Sequence, residues 1–405
     1  MFLSRIGDRN IHVIYAATLL LCTGYGLAIS LTSLHLDAQH FSREDIGGLA
    51  AWFALGIAAL SIPVGALIRR FSARAVLVGA LVGYAVSVTA FPHLTGYQSI
   101  AAARVADGAF SVGVWVASET ILLSRARAHH KAFVTSLYAV TVALGYVLGP
   151  LVARAVVASA DPRVAFAVAG SLAMTAAAYV VARLDDDVPE THPHDDASSP
   201  DAGPTPSAAL AWRIKVSCFG TFAYGYFQSS VVLFLPLFLV ASKGIARAQT
   251  ILIPAYFGAG MLIFSNAFGR LGDRVGHLRV MRALAVVGGA MTASFVLLDR
   301  FAFMAAAVFV AGASLASISP LSLALQGVVT APKDYSRANG IYNAFYAAGM
   351  LVGPPISSRL FARWSGAVML WHLAALWGAF VLFTVLFARD DPAARAEPAV
   401  HSGST

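Results

Sequence analysis

Apolar residues in this chain come in long unbroken runs, not in alternation. They fall near 11 to 34, 46 to 68, 75 to 92, 99 to 123, 133 to 158, 164 to 182, 214 to 240, 248 to 268, 280 to 298, 301 to 328, 338 to 361 and 367 to 387. Each run is close to the ~20 residues an α-helix needs to cross a bilayer, and a transmembrane barrel would instead demand a period of two. The pattern predicts an all-α integral membrane protein with twelve transmembrane helices. Gly and Pro inside the runs do not oppose this, because backbone groups in lipid must bond internally and neighbouring helices can absorb a kink.

Composition agrees. The 405 residues are 58% hydrophobic and 12% charged, against about 25% charged in a soluble domain. With both termini on one side of the membrane, and Arg154, Lys215, Arg282 and Arg359 near run ends counted with the adjoining loops, 19 Lys and Arg fall on that side and 8 on the other, leaving Arg104 alone deep inside a run. Basic loops stay in the cytoplasm, so both termini are expected there, in a multi-pass protein of the cell membrane, of bacterial inner-membrane type. The net charge of +8 is scattered over short loops and forms no stripe, which excludes a nucleic-acid partner. The first run is too long for a signal peptide and lacks a cleavage pattern. Cys22 and Cys218 lie within runs and read as packing residues.

The chain repeats itself. A shift of 204 positions lays Ala51, Phe53 and Gly56 on Ala255, Phe257 and Gly260, and Gly65 and Leu67 on Gly269 and Leu271. It also lays Gly108 on Gly312, Tyr138 on Tyr342, and Gly145, Gly149 and Pro150 on Gly349, Gly353 and Pro354. One register across separate stretches marks two parallel structural repeats with a substrate site between them. The expected division is an N-terminal six-helix bundle over 1–183, a disordered acidic linker over 184–209, a C-terminal bundle over 210–387 and a disordered tail over 388–405. His192 and His194 stand among the linker carboxylates, but without ligand spacing they read as a solvated segment and not as a metal site.

The stretch Gly269 to Arg279, G-R-L-G-D-R-V-G-H-L-R, separates two apolar runs. Its glycines suit a tight helix reversal, Asp273 a nearby helix start, and Arg270, Arg274 and Arg279 a cytoplasmic face. Gly269, Leu271, Asp273, Arg274, Gly276 and Arg279 resemble the loop signature of the major facilitator superfamily. The resemblance implies a secondary transporter of two pseudo-symmetric six-helix bundles. Two further motifs fit. G-x-x-x-G-P at Gly145, Gly149 and Pro150, and again at Gly349, Gly353 and Pro354, allows close helix packing and resembles the fifth-helix motif of exporters in the superfamily. Arg104, Asp107 and Gly108 resemble a fourth-helix pattern, with aspartate in the place of a glutamine-like residue.

Away from helix ends, Asp107 and Glu119 are the carboxylates inside the runs, and such groups are costly unless paired or wetted. Arg104 and Asp107, three apart, can form a self-neutralised pair. Either carboxylate is a candidate proton carrier, Asp107 being harder to protonate beside its cation. The resemblance directs the search for a cavity to the first, fourth, seventh and tenth helices, which offer Tyr25, Trp115, Tyr224, Gln228 and Gln326. For gating it implies that Asp273 faces His130 and Lys131. The charge-reversed counterparts Arg69 and Asp334, 204 positions from Asp273 and His130, would form the matching contact. No catalytic triad, zinc spacing or phosphate loop is present, so no enzyme and no cofactor is expected, the energy source being a proton gradient. The expectation is a monomeric, proton-coupled exporter of a drug-like or metabolite molecule, an antiporter, with small-molecule substrate and lipid bilayer as partners. An importer and a non-transporting membrane sensor are the alternatives.

Overall fold

A computed structural model of the chain describes residues 8–61, 63–126, 131–185, 205–331 and 334–388. The N-terminal half holds α1 (Arg9–Ala38), α2 (Arg43–Ser61), α3 (Pro63–Phe71), α4 (Ala73–Ala90), α5 (Tyr97–Arg125), α6 (Lys131–Ser159) and α7 (Pro162–Arg183). The C-terminal half holds α8 (Ser207–Arg213), α9 (Lys215–Lys243), α10 (Arg247–Thr250), α11 (Ile253–Val275), α12 (His277–Ser294), α13 (Phe301–Val329), α14 (Tyr335–Arg363) and α15 (Gly366–Leu386). The second predicted span takes in α2 and α3, position 62 between them lying outside the described residues, and the eighth is divided into α10 and α11. Among the described residues, 10 spans are long and apolar enough to cross a membrane by length and composition. The ninth and eleventh predicted spans, α12 and α14, complete the set of twelve with more polar sequences: α12 opens on His277, Arg279 and Arg282, and α14 carries Asn339 and Asn343.

Each half packs as its own bundle, α1 on α6 and α7 and α4 on α5 in one, α9 on α14 and α12 on α13 in the other. The repeat is visible in single contacts. A side chain at Gly56 would strike the carbonyl of Val105, and one at Gly260 that of Phe309, each partner again 204 positions apart. Gly108 meets Phe53 and Gly312 meets Phe257 in the same way. These glycines bring α2 onto α5 and α11 onto α13 at backbone distance. Gly145 and Gly149 seat α6 against Cys22, Thr23 and Leu27 of α1, while Gly349 and Gly353 seat α14 against Phe222, Tyr226 and Ser230 of α9. Pro150 and Pro354 lie inside continuous helices.

Between the halves, α2 packs on α14 and α6 on α11, two interfaces that exchange under the repeat. Among the described residues, the ion pairs joining the halves stand at the end remote from the chain termini. There Asp37 accepts from Arg43 of its own half and from Arg247 of the other, at 2.8 Å each. Arg43 and Arg247 are themselves 204 positions apart. Nearby, Arg363 Nε lies 3.8 Å from Glu44, Arg43 sits over the Phe361 ring at 5.2 Å, and Gly47 has no room for a side chain beside Ser358 and Pro354. The halves are therefore closed at that end.

Two sequence expectations change here. The predicted turn at 269–279 is mostly helix: α11 continues to Val275, and the reversal is confined to Gly276, whose φ of 98° lies in the left-handed region that favours glycine. Asp273 therefore ends α11 instead of starting a helix, is 71% exposed, and pairs with His277 at 3.2 Å. The counterpart of Gly276 is Ser72, with φ 84°, whose Oγ accepts from the Ala75 amide at the start of α4. The predicted linker is also shorter at its edges. The Asp185 amide donates to Asn10 Oδ1 at 3.0 Å, Arg337 donates to the Thr205 carbonyl at 2.7 Å, and α8 takes in residues 207–209. His192, His194 and the tail lie outside the described residues.

Candidate functional site

A cavity of about 400 Å³ lies between the halves, lined by α1, α2, α4, α5 and α6 on one side and α9, α11 and α14 on the other. Its volume falls at the compact end of small-molecule sites. On the N-terminal side three tyrosines converge from three helices: Tyr25 stacks on Tyr84 at 6.1 Å between ring centroids and meets Tyr146 edge-on at 5.6 Å. On the C-terminal side Tyr224 stacks on Tyr346 at 6.2 Å, and the Tyr346 hydroxyl donates to Gln228 Oε1 at 3.0 Å. Trp115, Phe53 and Phe257 widen the aromatic wall, the two phenylalanines being repeat counterparts. Such rings offer large, rigid contact area with polar handles at a few points.

Arg104 and Asp107 are the charged residues among the described lining residues. One turn of α5 separates them, so they meet on one face as an ion pair, with side chains 15% and 13% exposed. The Arg104 guanidinium lies over the Phe53 ring at 4.4 Å, and Ser111 Oγ reaches Asp107 Oδ1 at 3.5 Å. The C-terminal half has Val308 and Ala311 at the matching positions, so the repeat is broken where the charge stands.

Of the residues proposed from sequence, Tyr25, Trp115, Tyr224, Gln228, Arg104 and Asp107 share this cavity. Gln326 does not: it is 4% exposed within the C-terminal half, because α13 adds no residue to the lining. Glu119 stands outside the lining too, as an exposed side chain three turns along α5 from Asp107. Of the gating residues, Arg69 and Arg274 are exposed and Gly269 has open space around it. Arg69 and Asp334 are not brought together in this form. Asp334 is 1% exposed, accepts from Thr205 Oγ1 at 2.6 Å and lies 3.7 Å from Arg337. His130 and the Lys131 side chain lie outside what is described.

Reading the chain helix by helix missed Phe53, Tyr84, Tyr146 and Tyr346, which reach the cavity from α2, α4, α6 and α14. A partial signal existed. Tyr146 lies inside the first G-x-x-x-G-P motif and Tyr346 three residues before the second, where α6 and α14 press on α1 and α9.

Comparison with known proteins places this geometry. The model of the Major Facilitator Superfamily matches residues 14–216 and again 217–404, once per half. An uncharacterized MFS-type transporter of Bacillus subtilis (strain 168), YfkF, is 25% identical over 285 residues, covering 67% of this chain and 68% of the relative. YcaD, an uncharacterized MFS-type transporter of Escherichia coli O7:K1, is 22% identical over 388 residues, covering 95% and 97%. Among solved structures, the nucleoside transporter NupG aligns with a TM-score of 0.76 at 12% identity, over 95% of this chain and 99% of that one. A bacterial homolog of the human lysosomal transporter Spinster, in an inward-facing and occupied conformation, aligns with a TM-score of 0.72 at 12% identity, over 94% and 95%. At these identities the structural likeness is one of fold.

Proposed function

The chain belongs to the major facilitator superfamily, and from that premise we propose that it is a secondary active transporter that moves a compact aromatic solute by alternating access, coupled to protons through Asp107. The observation that supports this most is the cavity between the two halves, walled by tyrosines from both and holding one titratable carboxylate. Glu119 is the weaker proton carrier because it stands outside the lining.

With both termini in the cytoplasm, as the basic residues suggest, the closed end faces outward and this form is inward-facing. Solute would enter from the cytoplasm, stack between Tyr25 and Tyr146 on one side and Tyr224 and Tyr346 on the other, and be released once the outer contacts around Asp37 part. Export is the direction favoured by the paired G-x-x-x-G-P motifs.

The test is solute flux in proteoliposomes under an imposed pH gradient, with the wild type, Tyr224→Ala and Asp107→Asn. Flux that requires Tyr224, and that loses its response to the gradient in Asp107→Asn, supports the reading. Binding of aromatic solutes without any flux would make the protein a sensor that has kept the fold.

A further inference from the structure

The Arg104–Asp107 pair is internally neutral, but its members are not equivalent. A guanidinium cannot shed its charge in a protein, whereas a carboxylate can accept a proton. A cationic solute that took Asp107 as its partner would strand Arg104, and the described lining offers no second carboxylate. Stranding one member of such a pair is strongly unfavourable away from water. An anionic solute that took Arg104 would strand Asp107 only until the carboxylate picked up a proton.

We propose that the cavity takes aromatic solutes that are neutral or carry one carboxylate, rejects aromatic cations, and binds each carboxylate together with one proton. The proton is taken from the bulk solution, as hydronium or from buffer acid, and goes to Asp107; the solute carboxylate replaces Asp107 as the ion partner of Arg104. Before and after, the site carries no net charge. No covalent bond other than the O–H of Asp107 forms. An aromatic carboxylate and its proton therefore move in the same direction, with no net charge crossing the membrane. For that class of solute this replaces the antiport expected from sequence, so that an inward proton gradient drives uptake and not export, and it rests on the proposal that the tyrosine-walled cavity is the solute site.

The surroundings fit an anion. Tyr25 of α1 and Tyr84 of α4 lie within electrostatic range of both Arg104 and Asp107, and a phenol is an O–H donor throughout the neutral range. Ser111 adds a hydroxyl from α5 itself. From α2 the pair meets the ring of Phe53, and from α6 the cavity receives Tyr146. The other acidic, basic and histidine residues on the helices packed against α5 stand towards helix ends, outside the described lining: Arg9, His12, His35 and Asp37 on α1, Arg43, Glu44 and Asp45 on α2, Arg69 and Arg70 on α3, Arg74 on α4, and Lys131 and Arg154 on α6.

The experiment measures binding of naphthoate, naphthamide and naphthyltrimethylammonium to the purified full-length protein, with proton uptake followed by an indicator dye in weak buffer. Naphthoate is expected to bind with uptake of one proton and to weaken about tenfold per pH unit towards alkaline buffer. Naphthamide should bind without either effect, and the cation at least tenfold more weakly than the amide. Asp107→Asn should bind naphthoate with no pH slope and no proton uptake. Arg104→Gln should lose naphthoate but keep naphthamide, whose binding also reports that each variant is folded. The double change Arg104→Gln with Asp107→Asn, which leaves no charge stranded, should behave like Arg104→Gln. Naphthoate binding without proton uptake, or cation binding as tight as the amide, overturns the charge rule while leaving the cavity as the solute site. Binding of none of the three overturns the cavity reading, and the charge rule with it.

Discussion

Asp37 offers a direct test of how the two halves are held shut. It bonds one arginine on each of its oxygens, Arg43 within its own half and Arg247 across the gap, both at 2.8 Å. The Asp37 side chain is 21% exposed and Arg247 49%, so the bond that crosses is of the surface kind. Such pairs contribute about 0.2 to 1 kcal/mol, a shift of roughly 1.4- to 5-fold in the ratio of closed to open at that end. Arg247→Gln removes only this bond and should fall near the lower end. Asp37→Asn also leaves Arg43 and Arg247 as neighbouring like charges, so it should fall near or above the upper end. The readout is labelling of a cysteine at Thr32, a 6% exposed cavity residue on α1, by a membrane-impermeant maleimide added outside intact cells. Cys22 and Cys218 are buried and serve as the unlabelled background. Labelling should rise in both variants, the rise should shrink in high salt, and Asp37→Asn with Arg247→Gln should fall at or below Asp37→Asn alone, because it also removes the repulsion between the two arginines. Fully additive effects, or no response of labelling to Asp37→Asn, would refute the claim that this bond holds the end closed.

Three further outcomes are expected. Glu119→Gln should keep gradient-driven flux, since the side chain stands outside the cavity, and loss of coupling in proteoliposomes would return the proton to Glu119. Gly56→Ala and Gly260→Ala should each cost about 1 to 3 kcal/mol by overpacking, with similar falls in melting temperature in detergent, because the added carbon meets a backbone carbonyl in either half; a large effect in only one half would break the equivalence. Gly276→Ala should cost about 1 to 2 kcal/mol in the same melting assay, for a left-handed residue at the α11–α12 reversal, while Gly269→Ala, with open space around it, should be nearly silent.

Spans, repeat and charge asymmetry were legible in the residues because each depends on local composition. Bilayer thickness sets the length of an apolar run, and backbone-to-backbone packing admits only small residues, so Gly145, Gly149 and their partners 204 positions on announced where helices touch. Arg104 and Asp107 were legible as a pair since helical pitch alone brings residues three apart onto one face. What tertiary structure decided was which faces look into the same space. Tyr84, Tyr146 and Tyr346 carry no local mark that separates a cavity ring from a packing ring, and Gln326 none that places it inside its own half. The same holds for Asp37, which reads as an ordinary loop carboxylate until two arginines from opposite halves converge on it. Helix rotation and the offset between two bundles set those positions, and both are fixed by the sum of many weak contacts spread over the whole chain, none of which a single stretch of sequence contains.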